Sequence, residues 1–251
     1  MSTEAEQFWN DLYRTRDSWG GRPNPLLTEI VTPLTPGTAA DLGCGPGGDT
    51  IWLARRGWQV TAVDVSGAAV EGVRAHAAAQ GLTAETPTSK DRTGTGNPSE
   101  EPASPAQRSE DRSDTGRPGA PSPGRVTAER HDLAESFPAG TFDLISAQYL
   151  HTPIGLDRAR LFRTAAHALN PGGLLLIVDH GSIAPWSWNQ DPDTHFPTPA
   201  ETAAEIGLDP ARWPVLRADM PRRQATGPGG RIATVTDNVL LIQRAPEKES
   251  A

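Results

Sequence analysis

The sequence predicts an α/β fold, a three-layer sandwich with helices on both faces of a mostly parallel sheet. Three observations carry that expectation. Short apolar runs alternate with helical patterns, as at Ala39–Leu42, Gln59–Val63 and Leu174–Val178, and strands interleaved with helices build parallel sheets. The run at 174–178 is apolar on both faces, the mark of a strand covered on both sides. A glycine-crowded turn, Gly43-Cys44-Gly45-Pro46-Gly47-Gly48, joins the first run to a helical pattern at Thr50–Arg56. Glycines there allow positive φ and let a ligand approach the backbone.

Composition narrows the functional classes. A chain of 251 residues is long enough for one α/β domain with an ample core. The net charge of −8 disfavours a general nucleic-acid surface. No apolar run approaches the roughly 20 residues of a membrane span, and the acidic start Met1-Ser2-Thr3-Glu4 lacks the form of a signal peptide. A single cysteine excludes an internal disulfide and predicts a reducing, cytoplasmic setting.

In order, Phe8, Trp9, Leu12 and Tyr13 recur at helical spacing within residues 4–17. The Gly- and Pro-rich stretch from Ser18 to Pro25 follows, with a short helix at Leu26–Leu34. Residues 1–37 can form a lid over a cofactor or merely a helix packed on the sheet. After the glycine turn, a second strand ends in Asp64, about 20 residues on, where an acid can take both hydroxyls of a ribose. Ser66 caps a helix from Gly67 to Gln80, and Gly81 ends it. Residues 84–125 contain no aliphatic residue larger than alanine and no aromatic residue, so a disordered insertion is expected there. A protein partner for that insertion has no support in the sequence.

A third strand, Val126–Arg130, leads into His131-Asp132-Leu133, and a fourth, from Thr141, runs into a loop reaching His151. Asp157–Leu169 presents Leu161, Phe162, Ala165 and Leu169 on one face, and Asn170-Pro171-Gly172-Gly173 stops it. The fifth strand ends in Asp179-His180. Residues 186–199 are irregular and crowded with Trp186, Trp188, His195 and Phe196. Thr198-Pro199-Ala200-Glu201 opens a helix. Two strands, Val215–Met220 and Thr234–Gln243, flank a glycine loop at 227–230, and residues 245–251 should fray.

Gly43, Gly45 and Gly48 fit G-x-G-x-x-G, which leaves a nicotinamide-dependent oxidoreductase open, as it does a non-catalytic cofactor-binding protein acting through its insertion. Asp41 separates the readings. A pyrophosphate gains nothing from an acid two residues before the first glycine, whereas an amino group does.

Asp41-Leu42-Gly43-Cys44-Gly45-Pro46-Gly47 and Val63-Asp64-Val65-Ser66 resemble the first two motifs of class I S-adenosylmethionine-dependent methyltransferases, and Phe142-Asp143-Leu144 resembles the fourth. Trp9, Tyr13, Trp19 and Arg22-Pro23-Asn24-Pro25 resemble the start of the tellurite-resistance and thiopurine methyltransferase group. The resemblance implies a Rossmann-like sandwich over residues 1–251, with a seven-stranded, mostly parallel sheet and an antiparallel C-terminal strand. It implies S-adenosyl-L-methionine as cofactor, held by Trp19, Asp41, Gly43, Cys44, Gly45, Gly47, Asp64, Val65, Ser66, Asp132, Leu133 and Ala147. In that group Trp19 would help cover the methionine end, and Asp132 and Leu133 would meet the adenine. Asp132 also reads as a plain turn cap.

On the acceptor side, Tyr149, His151 and His180 are the catalytic candidates, with Trp186 beside them. Both histidines follow a strand's carboxyl end, where ligands sit in open α/β sheets, and either could take a proton or only brace the loop backbone. No metal-ligand cluster is visible. A small-molecule acceptor is expected, and the resemblance suggests a chalcogen or a thiol.

Overall fold

The computed structural model describes residues 3–15, 21–83, 124–187 and 189–247. Its elements are α1 (Glu4–Thr15), α2 (Pro25–Val31), β1 (Thr38–Leu42), α3 (Gly48–Arg55), β2 (Gln59–Asp64), α4 (Gly67–Ala79), β3 (Arg125–Arg130), β4 (Phe142–Gln148), α5 (Arg158–His167), β5 (Leu169–His180), α6 (Pro199–Ile206), β6 (Val215–Asp219), β7 (Arg222–Thr226) and β8 (Ile232–Gln243). The sheet runs β3-β2-β1-β4-β5-β8-β6, and β7 pairs with β8. The strands from β3 to β5 are parallel, while β8 is antiparallel to β5, β6 and β7. Strand order reverses between β1 and β4, so their carboxyl ends diverge and open a crevice there.

Alternation along the central strands builds two cores. Leu144, Leu176, Val178 and Val239 face the layer that holds Leu27, Leu53 and Val73. Ile145, Leu175, Ile177 and Leu240 face the opposite layer, with Phe162 and Ile206. A one-residue slip in any of these strands would exchange its two faces, so the register is strongly specified. Ser66 and Asp157 cap α4 and α5, and Thr198 and Glu201 form a capping box on α6. Asp143 is structural: it accepts from the Thr38 backbone N–H (2.8 Å) and from Asn170 Nδ2 (2.8 Å), tying β1, β4 and β5 at their starts.

The class is the expected one, and four details differ. The sheet has eight strands, because Arg222–Thr226 pairs with the first half of β8. That strand is polar and largely exposed, so it carries no apolar signal. Asn170–Gly173 lies inside β5 instead of before it: Phe142 pairs with Leu169, the register shifts, and Leu144 pairs with Leu174. The stretch expected as an insertion ends two residues early, since the Gly124 N–H donates to the Ala54 carbonyl (3.1 Å) and Arg125 opens β3. The rest of that stretch, 84–123, lies outside the described residues. Ala245, placed in a frayed tail, is held by its N–H on the Arg212 carbonyl (2.8 Å), and 248–251 lie outside the described residues. Among the described residues, no helix is long and apolar enough to cross a membrane.

Candidate active site

The glycine turn is fastened to β2. The N–H groups of Gly43 and Cys44 both donate to the Val63 carbonyl (2.8 and 3.0 Å). The Gly45 N–H donates to one oxygen of Asp64 (3.0 Å), and the Ser66 N–H to the other (2.8 Å). Asp64 therefore locks the turn to the start of α4. Gly47 caps α3 at φ +84, and a Cβ there would lie 2.7 Å from Val73 Cγ2, so only glycine fits. The His131 N–H donates to the Asp64 carbonyl (3.0 Å), which brings the Asp132-Leu133 pair beside the same acid. Asp132 accepts from the Ala134 N–H (3.1 Å), the turn-cap arrangement. Leu133 packs against the core on the α5 face.

Helix α1 lies across this carboxyl edge. Glu6 pairs with Arg130 at the end of β3 (2.5 Å). Asn10 accepts from Ser66 Oγ (2.7 Å) and from the Ala68 N–H (3.1 Å) at the head of α4. Trp9 Nε1 donates to Thr152 Oγ1 beyond β4 (3.4 Å). The Tyr13 hydroxyl lies 3.1 Å from where a Gly45 Cβ would stand, so its ring covers the turn. Burial, then Asp64 and Cys44, push the Tyr13 phenol well above its ordinary value. A depression of about 280 Å³ lined by Thr38, Thr61, Arg125 and Phe142 lies at the opposite edge of the sheet, away from the motifs.

Three carboxylates converge beneath the helix. Asp41 is 2% exposed and accepts from Thr50 Oγ1 (2.5 Å). Burial and then Asp49 push it up to about 7. Asp49 accepts from the Asn24 N–H (2.6 Å), and burial pushes it up to about 6. Asp64 is raised by burial against the pull of its backbone N–H partners. Among the described residues, none of the three is ion-paired with a cation. Among the described residues the cleft is thus lined by acids and holds no cation paired to them. Cys44 is buried, and burial followed by Asp64 and Asp41 keeps its thiol protonated. That disfavours a thiolate there.

A second cluster forms at the ends of β4 and β5. Tyr149 adopts φ 53, a left-handed conformation that costs a side-chain-bearing residue about 1–2 kcal/mol. Its hydroxyl donates to Asp237 (3.0 Å) and accepts from Arg223 Nη2 (2.9 Å), while Arg223 Nε donates to Asp237 (2.5 Å). The Tyr149 ring stacks on His180 at 4.3 Å, and His151 stacks on His180 at 5.8 Å. Burial, and then His151, lower the His180 pKa, although the residue as a whole is partly open to solvent. Asp179 binds Arg158 (2.5 Å) and lies 3.2 Å from His151 Nε2. Trp186 packs on Gly227 at the tip of the β7–β8 hairpin, where a Cβ would overlap its ring.

The structure thus brings Asp41, Gly43, Cys44, Gly45, Gly47, Asp64, Val65, Ser66, Asp132 and Leu133 to one edge, with Tyr149, His151 and His180 beside them. Ala147 stands apart. It is wholly buried between Leu42 and Ile177, with its side chain in the α5-face core, and the ligand edge begins at Gln148. Trp19 and Trp188 lie outside the described residues. Sequence reading did not single out Asn10, Asn24, Asp49, Gln148, Arg158, Asp179, Arg223 or Asp237 as site residues. Asn24 joins Asp49 to Gln148 through its N–H and its Nδ2 (2.8 Å). The one local signal for these was Asn24, between two prolines.

Sheet order, glycine turn and the acid closing β2 define a Rossmann-like α/β protein. The family model described as a methyltransferase domain matches residues 20–219, and the chain belongs to that family. Solved structures share the fold. One, described as "Conversion of a Disulfide Bond into a Thioacetal Group during Echinomycin Biosynthesis", is 20% identical over 98% of this chain and 94% of that one, with TM-score 0.64. TehB from Haemophilus influenzae is 14% identical over 96% of this chain and 67% of its own, with TM-score 0.58. Magnesium protoporphyrin IX methyltransferase from Synechocystis PCC 6803, with bound SAH, is 14% identical over 96% and 98%, with TM-score 0.55. A curated relative, ribosomal RNA small subunit methyltransferase C from Alcanivorax borkumensis, is 51% identical over 47 residues, which are 19% of this chain and 14% of that protein.

Proposed function

We propose that the protein transfers a methyl group from S-adenosyl-L-methionine to a small-molecule acceptor bearing a thiol or another chalcogen. The observation that carries the reading is the set of carboxylates Asp41, Asp49 and Asp64 around the glycine turn, with no cation paired to them among the described residues. A sulfonium nucleoside with an amino group complements that charge, whereas the pyrophosphate of a nicotinamide dinucleotide would be repelled. Asp64 would take the ribose hydroxyls, Asp132 and Leu133 the adenine, and Asp41 the amino group through the loop it orients. Bound there, the cofactor supplies a methyl group already activated by the positive sulfur. The chain then needs to align the acceptor with it and exclude water, and α1, with Trp9 and Tyr13 over the cleft, is placed to do both. The Tyr149–His180 stack offers an aromatic wall suited to a soft, polarisable acceptor. The lone, buried thiol of Cys44 supports a reducing, cytoplasmic setting.

The test is a titration with S-adenosylhomocysteine and with NADH, followed by a labelled methyl donor offered to a panel of thiols, selenide, tellurite, amines, hydroxyl compounds and ribosomal RNA. Micromolar binding of S-adenosylhomocysteine is expected, weakened more than tenfold, about 1.4 kcal/mol, in Asp64→Ala. Binding of NADH in its place, or label on RNA alone, would overturn the reading.

A further inference from the structure

We infer that His151 is the general base of the transfer and Asp179 the residue that positions it, so that the acceptor is a protic nucleophile, a thiol or a hydroxyl, and not a proton-free chalcogenide. The inference rests on the methyl-transfer reading and deepens it. It begins from three buried polar atoms without hydrogen-bond partners, His151 Nε2, Arg158 Nε and Asp179 Oδ1, which meet at one place. The Asp179 side chain is 7% exposed, and Arg158 Nη2 holds its other oxygen. His151 Nε2 stands 3.2 Å from the free oxygen, within ion-pair distance but out of line for a hydrogen bond. The contact is long and poorly aligned, and catalytic hydrogen bonds commonly tighten only when substrates are present.

The orientation assigns the two nitrogens. Nε2 is shielded from solvent and turned toward Asp179, while the His151 side chain as a whole is 39% exposed, which leaves Nδ1 as the nitrogen available to an acceptor. With its proton on Nε2 facing Asp179, the ring presents a lone pair at Nδ1. The logic is that of a carboxylate-oriented histidine base, with the two ring nitrogens exchanged relative to the Ser-His-Asp triad. The place is right as well. Leu150 packs so close to the glycine turn that a Cβ on Gly43 would lie 2.5 Å from its Cδ1, and Trp9 of α1 binds Thr152 on the other side. His151 is thus held between the turn and the covering helix.

The charges around it fit. Burial works against the Asp179 carboxylate, but His151 and Arg158 outweigh it and hold the group below its usual range, so Asp179 stays ionised and can steady an imidazolium. On the other face His180 favours its neutral form, and behind it Tyr149 is engaged by the Arg223–Asp237 pair. In the step itself, the acceptor X–H bond breaks and its proton passes to His151 Nδ1. The X–C bond forms as the bond from the methyl carbon to sulfur breaks, with the electron pair remaining on sulfur. The proton then leaves His151 for solvent.

Long-range nitrogen–proton NMR on the wild-type protein with S-adenosylhomocysteine reads the tautomer directly, with His151→Ala providing the assignment. Neutral His151 should carry its proton on Nε2, and Asp179→Asn should diminish that preference. A proton on Nδ1 in the wild type overturns the proposal even if Asp179→Asn does not fold. On the acceptor selected by the methyl-donor panel, His151→Ala should lower kcat about a hundredfold or more with KM little changed. Free imidazole should restore part of that loss, and S-adenosylhomocysteine affinity should stay within about twofold. An acceptor without an ionisable proton, or a kcat within about threefold of wild type, overturns the role of His151 while leaving the methyltransferase reading intact. Failure of the wild type to bind S-adenosylhomocysteine would instead sink that reading.

Discussion

Replacing Asp41 by asparagine should make the ligand-free protein more stable at pH 7.5, although it alters a motif residue in the middle of the cleft. Asp41 is buried and flanked by Asp49 and Asp64, and its pKa stands at about 7. An unfolded chain holds the same group near 3.9. The folded state therefore binds this proton more tightly than the unfolded state. The associated stability is fully present below the unfolded value and is lost as pH rises through about 7. The gap is about three pH units at about 1.4 kcal/mol each, on the order of 4 kcal/mol if Asp41 titrates alone. Asparagine keeps an oxygen for Thr50 Oγ1 and removes the charge.

At about 2–4 °C per kcal/mol for a domain of this size, thermal unfolding between pH 5 and 8 should separate the two proteins by several degrees at the alkaline end and bring them together at the acid end. His180 acts with the opposite sign: its lowered pKa contributes stability that is lost as pH falls. It is common to both proteins and drops out of the difference. Saturating S-adenosylmethionine should reverse the ranking at pH 7.5, because a cation at the cleft favours the ionised Asp41. Parallel Tm curves, or a less stable Asp41→Asn at pH 7.5, would refute the claim that the cleft stores unpaired negative charge.

Other consequences are read from the same geometry. Gly47→Ala meets Val73 Cγ2 at 2.7 Å from a left-handed position and should cost about 2–4 kcal/mol in urea unfolding. Gly140→Ala, with φ +107 and nothing within 4 Å, should cost only about 1–2. Arg223→Ala leaves Asp237, 1% exposed, with the Tyr149 hydroxyl but without its cation and should destabilise by about 3–5 kcal/mol, partly regained in the double variant with Asp237→Asn; equal stability of the single and double variants would refute this. Replacing residues 84–123 by a short Gly-Ser linker should leave S-adenosylhomocysteine affinity unchanged, because Thr83 already bridges to Val126; lost affinity on calorimetry would contradict that.

What was legible in the sequence follows from how far apart the interacting residues lie. The glycine turn, Asp64 and the Ser66 cap are set within a stretch of some two dozen residues, and their roles show in local spacing. The parallel strands were readable because burial on both faces leaves unbroken apolar runs. Polar β7 was not, since its reason to be a strand is its pairing partner on β8. The point where β4 gives way to its loop was not readable either. Ser146 and Ala147 look like loop residues by type, yet both are fully buried by β1 and β5.

Most of the second cluster was out of reach. Arg158 meets Asp179 across 21 residues, and Tyr149 meets Asp237 across 88. No periodicity encodes such meetings, and a charged residue at the start of α5 reads as a solvated helix end. The consequence is functional. The half of the cleft that reads as a nucleoside site is built from contiguous motifs, whereas the acceptor half is assembled from the ends of β4, β5 and the β7–β8 hairpin. A family can therefore keep the first half recognisable while the second changes one distant residue at a time. That is why the methyl donor follows from this chain's local sequence, while the acceptor class has to be argued from Asp179, Arg158 and the open edge of His151.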